Sequence, residues 1–261
     1  MRCAKYAPVM SAKDIRVYPI SSKDARQIIK KYHYSGKVVL NSKLHFGVFL
    51  RDHCLGALQF GPSMDKRHVI NLVAGTKWNE FLELNRLAFS DILPRNSESR
   101  ALAYCFKFIK KNYPWIKWII SFADGTQCGD GTIYRASGFV LTKINKNTTI
   151  YLSPDKKKKI TDIYVKTQTT KSLMTLIKGK HILRNGAASM KQFKEQGWTL
   201  APGYQLRYIY FLDKESRKNL TVPIIPFNKI NEIGAGMYKG KAREASRRCA
   251  TQPSVERAVQ S

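Results

Sequence analysis

Acidic residues are scarce in this chain: 18 Asp and Glu stand against 46 Lys and Arg, a net charge of +28 over 261 residues. An ordinary soluble enzyme needs no such excess, and a site for cationic amines would call for the opposite sign. Cysteine is sparse and unpaired in pattern. Cys3, Cys54, Cys105, Cys128 and Cys249 are odd in number and contain no C-x-x-C, which excludes a disulfide frame or a zinc knot and favours reduced thiols. Long apolar runs are missing too, all far short of the roughly 20 residues a membrane span needs. The start, Met-Arg-Cys-Ala-Lys-Tyr, lacks the apolar core of a signal peptide. There is no basic amphipathic helix with a bulky apolar face, so no membrane partner is expected and the location expected is cytoplasmic. No internal repeat is visible.

What the chain does have is a core and a field. It is 43% hydrophobic, enough to bury one large domain. Its positive field attracts polyanions, and nucleic acid is the first candidate because phosphate contacts supply most sequence-independent affinity. Lys37, Lys43, Arg51, Lys66, Arg67 and the run Lys156–Lys159 are the candidate phosphate contacts.

Periodicity predicts a first strand over 14–20, then a helix whose apolar face is Ala25, Ile28, Ile29 and Tyr32. Ser21 and Asp24 resemble a capping box before it, and Gly36 a cap after it. A hairpin follows over 45–60, then a strand over 83–89. The next helix runs from Ser97 to Lys111 with the stripe Leu102, Cys105, Phe106 and Ile109. A strand at 115–122, a short helix at 132–137, a strand at 139–144, helical character at 187–196 and a late strand at 205–212 complete the order. The expected organisation is a single domain over 1–226 with a basic insertion near 145–200, then a basic, unfolded tail over 227–261.

The stretch 121–140 carries the most chemistry. A buried strand ends in Asp124, a glycine-rich turn follows, and Tyr134 sits on the short helix beyond. Ligands in open α/β sheets bind at the carboxyl ends of strands. Asp124 is the candidate for contacting an amine or acting as base; an Asp after a strand also serves as a turn cap. Tyr134 is the candidate acid; it also suits a half-buried core position. His33 and Tyr34 lie at a helix end, His33 off the core face, where a histidine suits proton transfer or simply a dipole contact. Arg86, between apolar neighbours, needs an anion: cofactor, DNA phosphate, or Glu83 or Glu80 in an ion pair.

The β-α-β-β-β-α-β-α-β order with a late strand is that of the Gcn5-related N-acetyltransferase (GNAT) fold, an α/β fold with a mixed central sheet and helices on both faces. Ile133-Tyr-Arg-Ala-Ser-Gly-Phe139 looks like that fold's acyl-CoA signature. The helix from Ser97 would then bind pyrophosphate, with Arg95 and Arg100 flanking its end and Ser97 and Ser99 as hydroxyl donors. The loop Pro94–Ser99 departs from the family by lacking a glycine-rich cradle, and Glu98 would repel a diphosphate.

Several blocks together resemble the Mom proteins of Mu-like bacteriophages: Cys3–Tyr6, Lys30–Lys37, Gln59–Ser63, Glu83–Arg86, Pro94–Arg100 and Ser121–Val140. The resemblance implies a phage DNA-modifying transferase acting in the bacterial host cytoplasm. It would convert adenine to N6-carbamoylmethyladenine without S-adenosylmethionine and so protect DNA from host restriction. No methyltransferase glycine motif is visible. Double-stranded DNA with the adenine flipped out is the implied partner, and a homodimer would lengthen the basic face. Acetyl-CoA or a related acyl-CoA is the implied donor; iron is also implied. His33, His45, His53, Asp124 and Asp130 are the available ligand types, without H-x-D or H-E-x-x-H spacing. Two other readings stay open: a GNAT acyltransferase on a small amine or protein lysine, and a non-enzymatic DNA-binding protein of the same fold.

Overall fold

Alternating apolar residues build seven strands of one sheet in this computed structural model, which describes residues 10–155, 159–161, 183–184, 187–188, 190–238 and 241–242. The strands are β1 (Ile15–Pro19), β2 (Leu44–Leu50), β3 (His53–Gly61), β4 (Phe81–Phe89), β5 (Trp118–Asp124), β6 (Val140–Lys146) and β7 (Tyr204–Phe211), in the order β1-β2-β3-β4-β5-β7-β6. Every neighbouring pair is antiparallel except β4 and β5. The helices are α1 (Ser22–Tyr32), α2 (Lys66–Val69), α3 (Ser97–Asn112), α4 (Thr132–Ala136), α5 (Met190–Glu195) and α6 (Lys229–Glu232). The order is the one the sequence predicts, and the architecture is α/β and GNAT-like.

Helices cover both faces because the strands alternate. Ala57 points to α1, while its neighbour Leu58 points to the α3 side. Ala25 and Ile29 of α1 rest on Ala57 and Ala88, small residues that let the helix lie close. On the other face α3 inserts Leu102, Cys105, Phe106 and Ile109 among Phe46, Leu58, Ile119 and Leu206. Truncating one such residue, as in Ile109→Ala, would cost about 2–5 kcal/mol.

The pairing of β4 with β5 decides where a ligand can enter. It covers only Phe81–Glu83 against Trp118–Ile120. Beyond Glu83 the strands part: β4 runs on beside β3, and β5 runs on beside β7. Two parallel strands that separate leave a gap in the middle of the sheet.

Three expectations change. Ser21 does cap α1, accepting from the Asp24 amide at 3.1 Å, but the Asp24 carboxylate takes the Ser21 hydroxyl; a complete capping box forms instead at Ser11 and Asp14. Helical character at 187–196 narrows to α5, because Ala187–Ala188 pairs with Leu183–Arg184. The tail boundary also moves. Ile230, Ala235 and Met237 are buried, and the Met237 carbonyl accepts from the Asp130 amide at 3.2 Å, so the fold extends to Tyr238 and braces the glycine-rich turn. The basic residues Lys239, Arg243, Arg247 and Arg248, Lys156–Lys158 and the block Cys3–Tyr6 lie outside the described residues. No described helix is long and apolar enough to cross a membrane.

Candidate active site

The turn after β5 folds around Asp124. One carboxylate oxygen accepts from the Thr126 amide (3.0 Å) and hydroxyl (2.5 Å); the other accepts from Gln127 Nε2 (2.7 Å). The Asp124 carbonyl accepts from the Cys128 amide at 2.8 Å. Asp124 is therefore the turn's cap, and its second oxygen still has a lone pair for a ligand.

The glycine-rich segment then delivers α4. Gly131 has φ +82°, and a Cβ there would lie 2.4 Å from the Tyr208 ring, so neither the backbone nor the space admits a side chain. The Tyr208 hydroxyl holds the Asp130 carbonyl at 2.5 Å, and Arg135 pairs with the Asp130 carboxylate at 3.1 Å. These contacts fix the Tyr134 ring, which packs on Tyr208 and Phe139.

His33 and Tyr34 arrive at the end of α1, their rings 4.3 Å apart. The loop carrying them is latched by Arg86, whose Nε donates to the Lys37 carbonyl (2.9 Å) and whose Nη1 donates to the Asn85 carbonyl (2.6 Å). Its other N–H donors are left for a ligand. Glu80 pairs with Lys117 instead (3.1 Å), while Glu83 hydrogen-bonds Ser63 and Asn85 and attracts Arg86 at longer range.

Five groups thus meet at the parted strands: His33, Tyr34, Arg86, Asp124 and Tyr134. Burial, then the neighbouring Cys128 and Glu83, push the Tyr134 phenol up to about 12, with Ser121 and Arg86 pulling the other way. Burial and the Asp124 charge raise Tyr34 as well. About half of the Tyr34 surface is open, yet its phenol oxygen lies among Asp124, Cys128, Arg86 and Tyr134. Burial and then Arg86 lower His33 to about 4. At neutral pH the site therefore holds two intact phenols, a guanidinium and a neutral imidazole. Ser35 donates to His33 Nδ1 from its amide at 3.2 Å, which leaves the ring proton on Nε2. His33 is a donor here, and the neutral ring gains little from a helix C-terminus.

Sequence reasoning missed Ser121. It is 1% exposed, lies against the Tyr134 phenol, and its oxygen has no partner that meets full hydrogen-bond geometry. A serine in a strand carries no signal that separates this from a solvent-facing position. Arg86, for which the sequence left a cofactor, a DNA phosphate or an acidic neighbour open, lies in this cluster.

The other cofactor candidates stand apart, at the start of α3. Ser97 is fully buried and its hydroxyl donates to the Pro94 carbonyl at 2.6 Å, so it closes the loop and is unavailable to a ligand. Ser99 donates to Asn96 at 3.1 Å, and Arg95 and Arg100 are exposed. No side chain caps the helix. Ser99 and Arg100 line a cleft of about 620 Å³ with Lys107, Lys110 and Lys214, over a floor that includes Phe106 and Tyr210. No carboxylate lines it. Cations, an uncapped helix start and an aromatic floor fit a phosphorylated nucleotide such as CoA.

The iron donors do not assemble. His45 pairs with Gln59, His53 is exposed at a hairpin, and Asp130 pairs with Arg135. Among the described residues no three His, Cys, Asp or Glu are grouped to hold a metal ion.

A mixed sheet parted at its parallel pair, with polar groups meeting at the gap, defines a GNAT-like α/β protein. The Mom protein family model matches residues 14–229, and the chain belongs to that family. It is 36% identical over 216 residues to Methylcarbamoylase mom of Escherichia phage Mu, 82% of each chain being covered. Solved structures similar to it include a GNAT family acetyltransferase from Elizabethkingia anophelis with acetyl-CoA bound, at 12% identity and TM-score 0.37, covering 76% of this chain and 98% of that one. An acetyltransferase from Bacillus subtilis in complex with CoA is 11% identical with TM-score 0.39, covering 76% and 97%.

Proposed function

We propose that this chain is a phage DNA-modifying transferase that attaches a carbamoylmethyl group to N6 of adenine, without S-adenosylmethionine, and so shields the DNA from restriction nucleases. The observation that carries the reading is the meeting of Asp124, Tyr134, Tyr34 and Arg86 at the gap between β4 and β5. Family membership and the charge of +28 support it.

Adenine N6 is a poor nucleophile, its lone pair delocalised into the ring, and it is hidden in a duplex. Extrusion of the nucleotide solves the second problem, with aromatic side chains holding the base. Tyr34 offers an exposed ring at the gap for this. The free lone pair on Asp124 takes the proton from N6 as the new bond forms. Tyr134, still protonated at neutral pH, gives a proton to the leaving group. Arg86 offsets the negative charge that develops between them. For a carbamoylmethyl product, N6 bonds to a methylene carbon that already carries the carboxamide, and the bond from that carbon to its leaving group breaks, so the donor must be an activated acetamide; the phosphates of a CoA-type carrier would be held by Arg100, Lys107 and Lys110. No step is assigned to iron, for which the donor set is lacking.

Mass spectrometry of deoxynucleosides from cells expressing the chain tests this. A deoxyadenosine heavier by one carbamoylmethyl group is expected. An N6-acetyl product would favour a plain acyltransferase, and unmodified DNA from cells making folded protein would overturn the proposal.

A further inference from the structure

A second cleft, of about 530 Å³, opens at the opposite end of β4. Its walls include Trp78, Trp115, Tyr113, Pro62, Lys43 and Lys66. Trp78 and Trp115 are 52% and 53% exposed, whereas Trp118 and Trp198 are buried. Two indoles left half in water along one groove call for an explanation that packing does not give. Lys66 Nζ lies 4.4 Å from the Trp78 ring centroid and 5.6 Å from that of Phe81. No carboxylate lines the groove.

Flat aromatic faces beside ammonium groups suit a nucleotide. The base stacks on an indole, a sequence-tolerant contact, and the phosphate meets the cation. We propose that this groove is a second DNA contact, where bases of the substrate stack on Trp78 and on Trp115 while Lys43 and Lys66 hold the phosphates. Phe81 lines the groove and Arg86 lies further along the same strand. That span is roughly 16 Å at about 3.3 Å per residue. With B-form DNA rising about 3.4 Å per step, the contact falls about five steps from the modified adenine. The groove would give the enzyme a fixed grip on flanking DNA while the target base is extruded. This inference rests on DNA being the substrate.

The test combines fluorescence anisotropy on labelled DNA with tryptophan fluorescence. Trp78→Ala and Trp115→Ala are each expected to weaken binding about tenfold or more, while Trp78→Phe and Trp115→Tyr retain most of it. DNA should quench wild-type fluorescence; heparin, which has charge but no bases, should quench it far less. Equal quenching by heparin would overturn the stacking assignment, as would a double alanine variant that binds DNA within twofold of wild type. Adenine modification is read separately by mass spectrometry. If modification is never seen but the alanine variants lose affinity, the catalytic reading fails and the groove stands; the reverse result sinks the groove alone.

Discussion

Asp124→Asn separates the cap role that the structure gives this carboxylate from the base role proposed for it. The amide keeps an oxygen to accept from the Thr126 amide and hydroxyl, and the Gln127 side chain can turn its carbonyl toward the new NH2. All the cap bonds survive, so the stability cost is about 1 kcal/mol or less. The lone pair proposed to take the N6 proton is lost, and removing a general base costs about 10²–10⁴ in rate. Asp124→Ala loses the same chemistry and the cap as well. It removes the shared acceptor of the Thr126 amide and hydroxyl, two hydrogen bonds at about 0.5–1.5 kcal/mol each. That should lower the melting temperature by several degrees, since about 1 kcal/mol shifts a chain of this size by roughly 2–4 °C. Modified deoxyadenosine per total deoxyadenosine gives the first quantity, thermal melting the second, and anisotropy on labelled DNA the third. The Asn variant should bind DNA as tightly as wild type or more tightly, having lost one negative charge. Wild-type product levels from Asp124→Asn would refute the base assignment. Equal melting of the Asn and Ala variants would refute the cap.

Tyr134→Phe removes one hydroxyl but keeps the ring against Phe139 and Tyr208, so product should fall about 10²-fold or more with little change in melting. Because the phenol is held near 12, activity should show no alkaline fall assignable to it below about pH 10. Wild-type product formation by the Phe variant would remove Tyr134 from the chemistry. His33 carries the acid side. Its folded pKa of about 4 lies below its ordinary 6.5, so the folded state disfavours the charged ring; this contribution is complete above about 6.5 and is lost as pH falls toward 4. His33→Gln should flatten stability across that window in urea titrations, and an unchanged pH profile would show that the ring does not titrate as placed. DNA affinity should fall steeply with salt, by roughly 10³-fold or more between about 50 and about 200 mM, as counterion release requires. Binding that is indifferent to salt would remove phosphate contacts as the source of affinity.

Local pattern made much of the fold legible. The stripe of α3 and the hairpin of β2 and β3 follow from helical and alternating periods over neighbouring residues. What depends on distant pairing was hidden. Nothing in Tyr204–Phe211 shows that it inserts between β5 and β6. The end of the fold was also obscure, because Ile230, Ala235 and Met237 are too few and too uneven to make a period. At the site, Asp124 and Tyr134 could be paired from one stretch because a single turn joins them. Glu83 and Ser121 could not, since their approach depends on how β4 lies beside β5. The Trp78–Trp115 groove was invisible for the same reason: its walls come from the loop before β4 and the turn after α3.

The gap itself explains why these groups can cooperate at all. Along β5, Trp118, Ile120 and Asp124 share one face, while Ile119, Ser121 and Ala123 share the other. Arg86 lies on the α1 side with Ala88, whereas Tyr134 packs with the cluster on the α3 side. In an unbroken sheet the carboxylate and the phenol would be screened from each other by backbone. They meet because β4 and β5 stop pairing after Glu83 and Ile120. On the proposed reading, DNA presents its adenine from the α1 side, past Tyr34, and the donor reaches the gap from the α3 side, where the basic cleft lies. Among the described residues no strand pairs with the Leu84–Phe89 edge that faces β5, and an unpaired edge is a template for an amide-bearing ligand.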